Sequence, residues 1–254
     1  PWVVLHVPHD STWIPSEHRG QFLLHDAAPQ LELARMTDHH TYALFAQGVP
    51  QEQVVRAPVS RLVVDVERFE DDTREPMAAR GMVVVYTVTS QLEPLRRSLT
   101  AAEREELIER WYRPHHARLE AVVHQCLETH GRCLVLDCHS FPSEALPYEL
   151  EAGSGSRPDL CIGTDPFHTE PSLAEAFVES MQGPGWRVAV DTPFSGALVP
   201  LSRYRKDRRV QAVMVEVGRH LYLHEPGPEC SPAFEEVAER LRSACSRAIR
   251  NGAD

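Results

Sequence analysis

Short runs of apolar, largely β-branched residues recur along the chain: WVVLHV (2–7), RLVVDVE (61–67), MVVVYTV (82–88), RCLVLDC (132–138), WRVAVD (186–191) and QAVMVEV (211–217). Continuous apolar runs of this length, bounded by proline, glycine or charged residues, predict strands buried on both faces. Between them the apolar positions recur at helical spacing over roughly 38–47, over 101–130 with an interruption at Pro114, over 172–182, and over 231–249. Strands that alternate with helices predict an α/β fold, a mostly parallel or mixed sheet covered by helices on both faces. The segment ELEAGSGSRPD (149–159) is rich in Gly, Ser and Pro and reads as a surface loop, because strand-like sequence resumes directly after it. With no repeat, linker or low-complexity tract, residues 1–254 are expected to form one domain.

Composition narrows the function classes. Apolar residues make up 42% and charged residues 25%, which fits a folded globular chain and excludes a fibrous or disordered one. A formal net charge of −11 disfavours nucleic acid and anionic membrane surfaces, which such a chain repels at long range. A small anionic substrate stays compatible with this charge if a few arginines converge on one pocket. No apolar stretch reaches the ~20 residues needed to span a bilayer, and PWVVLHVPHD lacks the pattern of a signal peptide. The six cysteines form no CxxC pair. Reduced thiols and a cytoplasmic location are the expectation.

The chemistry is expected where the strands end, since ligands of open α/β sheets bind beyond the C-terminal ends of the strands. His9 follows the first strand in VPHDS, Asp137 and His139 close the fourth in DCHSF, and Glu216 lies in the last, MVEVGR. Asp38 lies in TDHH, at the start of a predicted helix, while Arg61 and Arg68 flank RLVVDVE. Two histidines and a carboxylate leave one position of a tetrahedral Zn²⁺ open, the usual make-up of a hydrolytic site. Each residue also has a plainer reading. His139 alone could be satisfied by a backbone carbonyl, Glu216 by a salt bridge, and Arg61, Asp65, Glu67 and Arg68 by pairing with one another. Asp137 is read as orienting His139 rather than as a ligand. His115 and His116 are read as a helix-face pair, and Ser140 lacks the GxSxG turn of a nucleophile.

The segments VPHDSTWIP, SRLVVDVER, RWYRPHHARLE, LVLDCHSFPS, RPDLCIGTD and VMVEVGRHLYLHE, in this order, resemble the N-formylglutamate amidohydrolase family over about residues 4–225. That family is similar in fold to zinc carboxypeptidases and aspartoacylases. The resemblance implies one α/β domain with a mixed, twisted sheet of about eight strands. It also implies one Zn²⁺ per chain, held by His9, His139 and a carboxylate. The related enzymes place a glutamate three residues after the first histidine, where this chain has Thr12, so Asp38 is taken as the replacement. The resemblance further implies Glu216 as general base, Arg61 on the scissile carbonyl and Arg68 on the substrate carboxylate. Arg203 and Tyr204 match a substrate-facing loop. The implied reaction is hydrolysis of a small N-formyl or N-acyl amino acid such as N-formylglutamate. Alternatives are a deacylase of larger substrates and a non-catalytic anion-binding protein. The family typically shows Asn before the second arginine, where this chain has Glu67. That glutamate either adds repulsion beside a carboxylate site or turns away to pair with an arginine.

Overall fold

The computed structural model describes residues 2–150, 156–183 and 185–252, so the middle of the predicted 149–159 loop lies outside the described residues. Strands β1 (Val3–Val7), β2 (Val54–Arg56), β3 (Cys133–Phe141), β4 (Leu160–Gly163), β5 (Val188–Val190) and β6 (Val210–Gly218) form one sheet in the order β2-β1-β3-β6-β4-β5. The pairs β2-β1, β1-β3, β3-β6 and β4-β5 are parallel, and β4 runs antiparallel to β6. The α/β class and the mixed, mostly parallel sheet are as expected. The resemblance implied about eight strands, whereas the described residues form a six-stranded sheet.

The difference lies in the segment between β2 and β3. Most residues of 61–67 and 82–88 are buried, as their valines require, but apart from an isolated bridge at Val88 they form turns and bends instead of strands. Their backbone groups are satisfied locally, as by Val63 N–H to Ser60 O at 2.8 Å, or across the segment, as by Asp65 N–H to Val84 O at 2.8 Å. Val59, Val63, Val64, Val84 and Val85 pack on Leu107, Ile108 and Tyr112 in a satellite core of their own. An apolar run thus reports burial and leaves the hydrogen-bonding pattern open.

The helices are α1 (Ala28–Met36), α2 (Thr41–Ala46), α3 (Ala101–Leu107), α4 (Arg113–His130), α5 (Pro171–Gln182) and α6 (Phe234–Asn251). Thr100 and Glu103 close a capping box at the start of α3, and a π-helical turn over Ile108–Tyr112 joins α3 to α4. Pro114 lies just after that π-helical turn, at the second position of α4. Alternation along each strand then sorts the side chains. Leu5, Leu134, Leu136, Val213 and Val215 face α2, α5 and α6, while Val4, Val55, Cys133, Val135, Val210 and Ala212 face α4. By the same period, His6, Asp137, His139 and Glu216 continue the α4 face toward the strand C-termini. Register brings His6 beside Asp137 and His139 beside Glu216.

Candidate active site

At that rim His9, just beyond β1, His139 of β3 and Asp38, between α1 and α2, are all buried and offer nitrogen and oxygen atoms within 4.8 Å of one another. Asp38 Oδ2 lies 3.1 Å from His139 Nδ1 and 3.7 Å from His9 Nδ1. The sequence-predicted metal set is therefore brought together. Asp38 is fixed by its backbone, whose N–H donates to His9 O at 2.9 Å, and by Arg219, whose guanidinium donates to Oδ1 at 3.1 Å. Arg219 itself is buried and anchored on Ser140 Oγ and Arg35 O.

His9 presents a buried nitrogen without a hydrogen-bond partner. Its Nε2–H donates to Asp65 Oδ1 at 2.8 Å, which leaves the lone pair on Nδ1, and Nδ1 is a buried atom without a hydrogen-bond partner. A carboxylate that fixes a histidine tautomer and turns its other nitrogen toward Asp38 and His139 gives a donor arrangement that could hold a metal. Asp65 accepts in addition from Arg61 at 2.9 Å and from the Tyr86 hydroxyl, and lies 3.5 Å from Arg68 Nε. Burial disfavours its charge, but His9 and Arg61 outweigh burial and hold its carboxyl well below the usual range.

Burial likewise works to lower the basicity of His139, yet Glu67 and Asp137, with Asp38, raise it well above the ordinary imidazole range. This ring sits where positive charge is wanted. Glu216 is buried beside it with Oε2 unpartnered. Burial, helped by Asp38 and Glu67, pushes its carboxyl up to about 8.

His9, Asp38, Arg61, Glu67, Arg68, Asp137, His139, Tyr204 and Glu216 line one cavity of about 530 Å³, within the range of small-molecule sites. Arg203 is the exception among the predicted binding residues. It pairs with Asp207 at 3.0 Å and Glu120 at 3.4 Å and is absent from the cavity wall, because Pro200 opens a turn that points it toward α4. Tyr204 reaches the wall, stacked on His168. Arg61 and Arg68 do pair with Asp65, as their plainer reading had it, while still facing the cavity. Glu67 turns to no arginine; its Oε1 lies 3.1 Å from His139 Nε2 and its Oε2 3.7 Å from His9 Nδ1.

Several residues at the site escaped the sequence reading. His6 is hidden in an apolar strand, yet its Nδ1 is 2.7 Å from Asp137 Oδ1 and its Nε2 is 2.9 Å from His115 Nε2. His115 and His116 diverge, the first buried against His6 and the second bonded to Val66 O at 2.8 Å. Arg219 lies within VMVEVGRHLYLHE without a role assigned to it there, and Asp65 reads as one partner among four. A charged residue inside an apolar run was the available signal for both His6 and Asp65.

A mixed, mostly parallel sheet with buried polar residues gathered at one rim defines an α/β protein with a candidate active site at its strand ends, and sequence comparison makes the class definite. A profile of the N-formylglutamate amidohydrolase family matches residues 2–223. The chain belongs to that family and is thereby a hydrolase acting on amide bonds. Among solved structures it is similar to an N-formylglutamate amidohydrolase from Ralstonia eutropha JMP134, with TM-score 0.83 and 23% identity over 99% of this chain and 93% of that one. It is also similar to the gene product Atu2144 from Agrobacterium tumefaciens, with TM-score 0.72 and 18% identity over 100% of this chain and 92% of that one. At these identities the two likenesses establish the fold. No curated protein matches the chain.

Proposed function

We propose that the protein is a metal-dependent amidohydrolase that cleaves a small N-formyl or N-acyl amino acid, N-formylglutamate being the first candidate. The observation that carries this is the orphaned Nδ1 of His9, turned by Asp65 toward the same space as Asp38 and His139. These three residues fit a cation by donor chemistry as well as position. Zn²⁺ held there would supply Lewis acidity to the scissile carbonyl and acidify the attacking water.

The chain's own groups account for the proton and charge movements. Glu216, across the β3-β6 ladder from His139, takes a proton from the attacking water and returns it to the leaving amine at the same carboxylate. Its raised pKa suits both halves of that exchange. Arg61, positioned by Asp65 and Tyr86, turns its remaining N–H groups to the developing oxyanion. Arg68 offers a substrate carboxylate the N–H groups that Glu75, at 3.4 Å, holds only loosely. Tyr204 forms part of the opposite wall.

Glu67 favours keeping a wider range of N-acyl substrates in view, because its carboxylate borders the space a dicarboxylate would enter. A cytoplasmic setting is supported by the six free cysteines, five of them buried; among the described residues no helix is long and apolar enough to cross a membrane. The test is hydrolysis of N-formylglutamate beside a panel of N-acyl amino acids, with the metal content of each variant measured. Wild-type protein should release formate and carry zinc, and His9→Ala and His139→Ala should lose both. Full zinc in both variants, or binding without turnover by zinc-loaded wild type, overturns the reading.

A further inference from the structure

The far edge of His139 meets a second set of donors. His6 Nδ1 lies 2.7 Å from Asp137 Oδ1 and 3.8 Å from Glu67 Oε1, and the ligand atoms of these three side chains lie within 4.8 Å of one another. His139 Nε2 is 3.1 Å from both carboxylate oxygens. Donors each about 2.1 Å from a tetrahedral cation stand about 3.4 Å apart, so these separations straddle the expected edge.

Charge favours the same conclusion. Among the described residues, the ion pairs of Asp137 and Glu67 run only to histidines: Asp137 to His6 and His139, Glu67 to His6, His9 and His139. The nearby Arg61 and Arg68 are drawn to Asp65 and Glu75 instead. Asp137 Oδ1 accepts from His6 Nδ1–H at 2.7 Å, both carboxylates share the N–H of His139, and Asp137 Oδ2 is held by Leu198 N–H at 2.9 Å, so imidazole and amide donors are all that face the two charges among the described residues. Two neighbouring, largely desolvated carboxylates in this position are short of positive charge.

We infer that His6, Glu67 and Asp137 form a second divalent-cation site, separate from the His9, Asp38 and His139 set and adjoining it through the His139 ring. The proton arithmetic closes without deprotonating any imidazole. On binding an ion through Nδ1, His6 would shift its proton from Nδ1, where it now faces Asp137, to Nε2 and donate it to His115 Nε2 at 2.9 Å, with His115 protonated on its other nitrogen. His139 keeps its proton on Nε2, facing Glu67 and Asp137, so its Nδ1 stays available to the first site. Two carboxylates balance the charge of one divalent ion. A donor set of one nitrogen and two oxygens suits Zn²⁺ or Mn²⁺. Glu67, with a side chain 18% exposed on the cavity wall, is the member through which an ion enters.

This inference rests on the proposed metal-dependent reading of the neighbouring site, and the experiment separates the two. The full chain is stripped with a chelator and titrated with Zn²⁺ and, separately, Mn²⁺, bound metal being counted by equilibrium dialysis and elemental analysis. Two equivalents are expected for wild type, one for Glu67→Ala and one for His9→Ala, and anomalous scattering from metal-soaked crystals should show two peaks flanking His139. Circular dichroism confirms that Glu67→Ala, changed at a partly exposed position, is folded. One wild-type equivalent that disappears in His9→Ala and survives in Glu67→Ala overturns the second site and leaves the first. Two equivalents unaffected by Glu67→Ala also overturn it. One equivalent that disappears in Glu67→Ala and survives in His9→Ala overturns the first site and supports the second.

Discussion

Two regions build the candidate active-site cavity by different means. His139 and Glu216 stand on β3 and β6, neighbours in an unbroken parallel ladder of nine paired positions, so their backbones are fixed by the centre of the sheet. Arg61, Asp65, Glu67 and Arg68 stand on irregular chain between β2 and β3. There the positions are held by a satellite core and by Asp65, which gathers Arg61, Tyr86, His9 and the N–H of Glu67 around one buried carboxylate. The ladder can lose a side chain and keep its shape. The irregular segment depends on its charges for its shape, so substitutions there should affect stability and function together.

Asp65→Asn offers the largest break. Removing one member of a buried, multiply paired charge cluster costs on the order of 3–5 kcal/mol, and the same change frees the His9 tautomer. Chemical denaturation should show the loss, and metal affinity should fall ~10–100-fold. Unchanged stability would mean the segment is held by its apolar core alone. Glu216→Gln is the matching change on the ladder. It should leave the fold and metal content intact and lower kcat by about a hundredfold or more, close to 3 kcal/mol in the barrier. Near-normal turnover would remove Glu216 from the proton transfer.

A smaller effect is expected from His116, which bonds to Val66 at the end of the irregular segment. Burial lowers its pKa from 6.5 to about 4 in the folded protein. The unfolded chain thus takes up a proton that the folded one refuses as pH falls from 6.5 to 4. The contribution to stability is whole above the unfolded pKa and lost on acidification, by about 1–3 kcal/mol across that window. Denaturation midpoints of His116→Gln should fall less steeply over that range than those of wild type; parallel curves would refute this. The smallest effect belongs to Arg203→Ala. Its half-exposed ion pairs with Glu120 and Asp207 lie off the cavity wall, so stability should change by less than about 1 kcal/mol and KM should stay within twofold. A large rise in KM would return Arg203 to the substrate site.

The sequence by itself determined the α/β class, the approximate bounds of β1, β3 and β6, and the arrival of His9, His139 and Glu216 at strand ends, because hydrophobic runs and their polar terminations are local features. It also kept Asp38 in the set, through the resemblance and the position of TDHH. Tertiary structure decided the rest. Valine-rich 61–67 and 82–88 look like strands because burial alone sets their composition, whereas ladder or turn is chosen by what lies beside them. The short β2, the antiparallel direction of β4 and helix α1 went unread for the same reason. So did the turning of Glu67 toward histidines, the contact of His6 with Asp137 and His115, and the outward path of Arg203. A sequence shows which charges are placed among apolar neighbours, but their partners lie 56 to 131 residues away, as for His9 with Asp65 and His6 with Asp137, and only the packed chain brings them together.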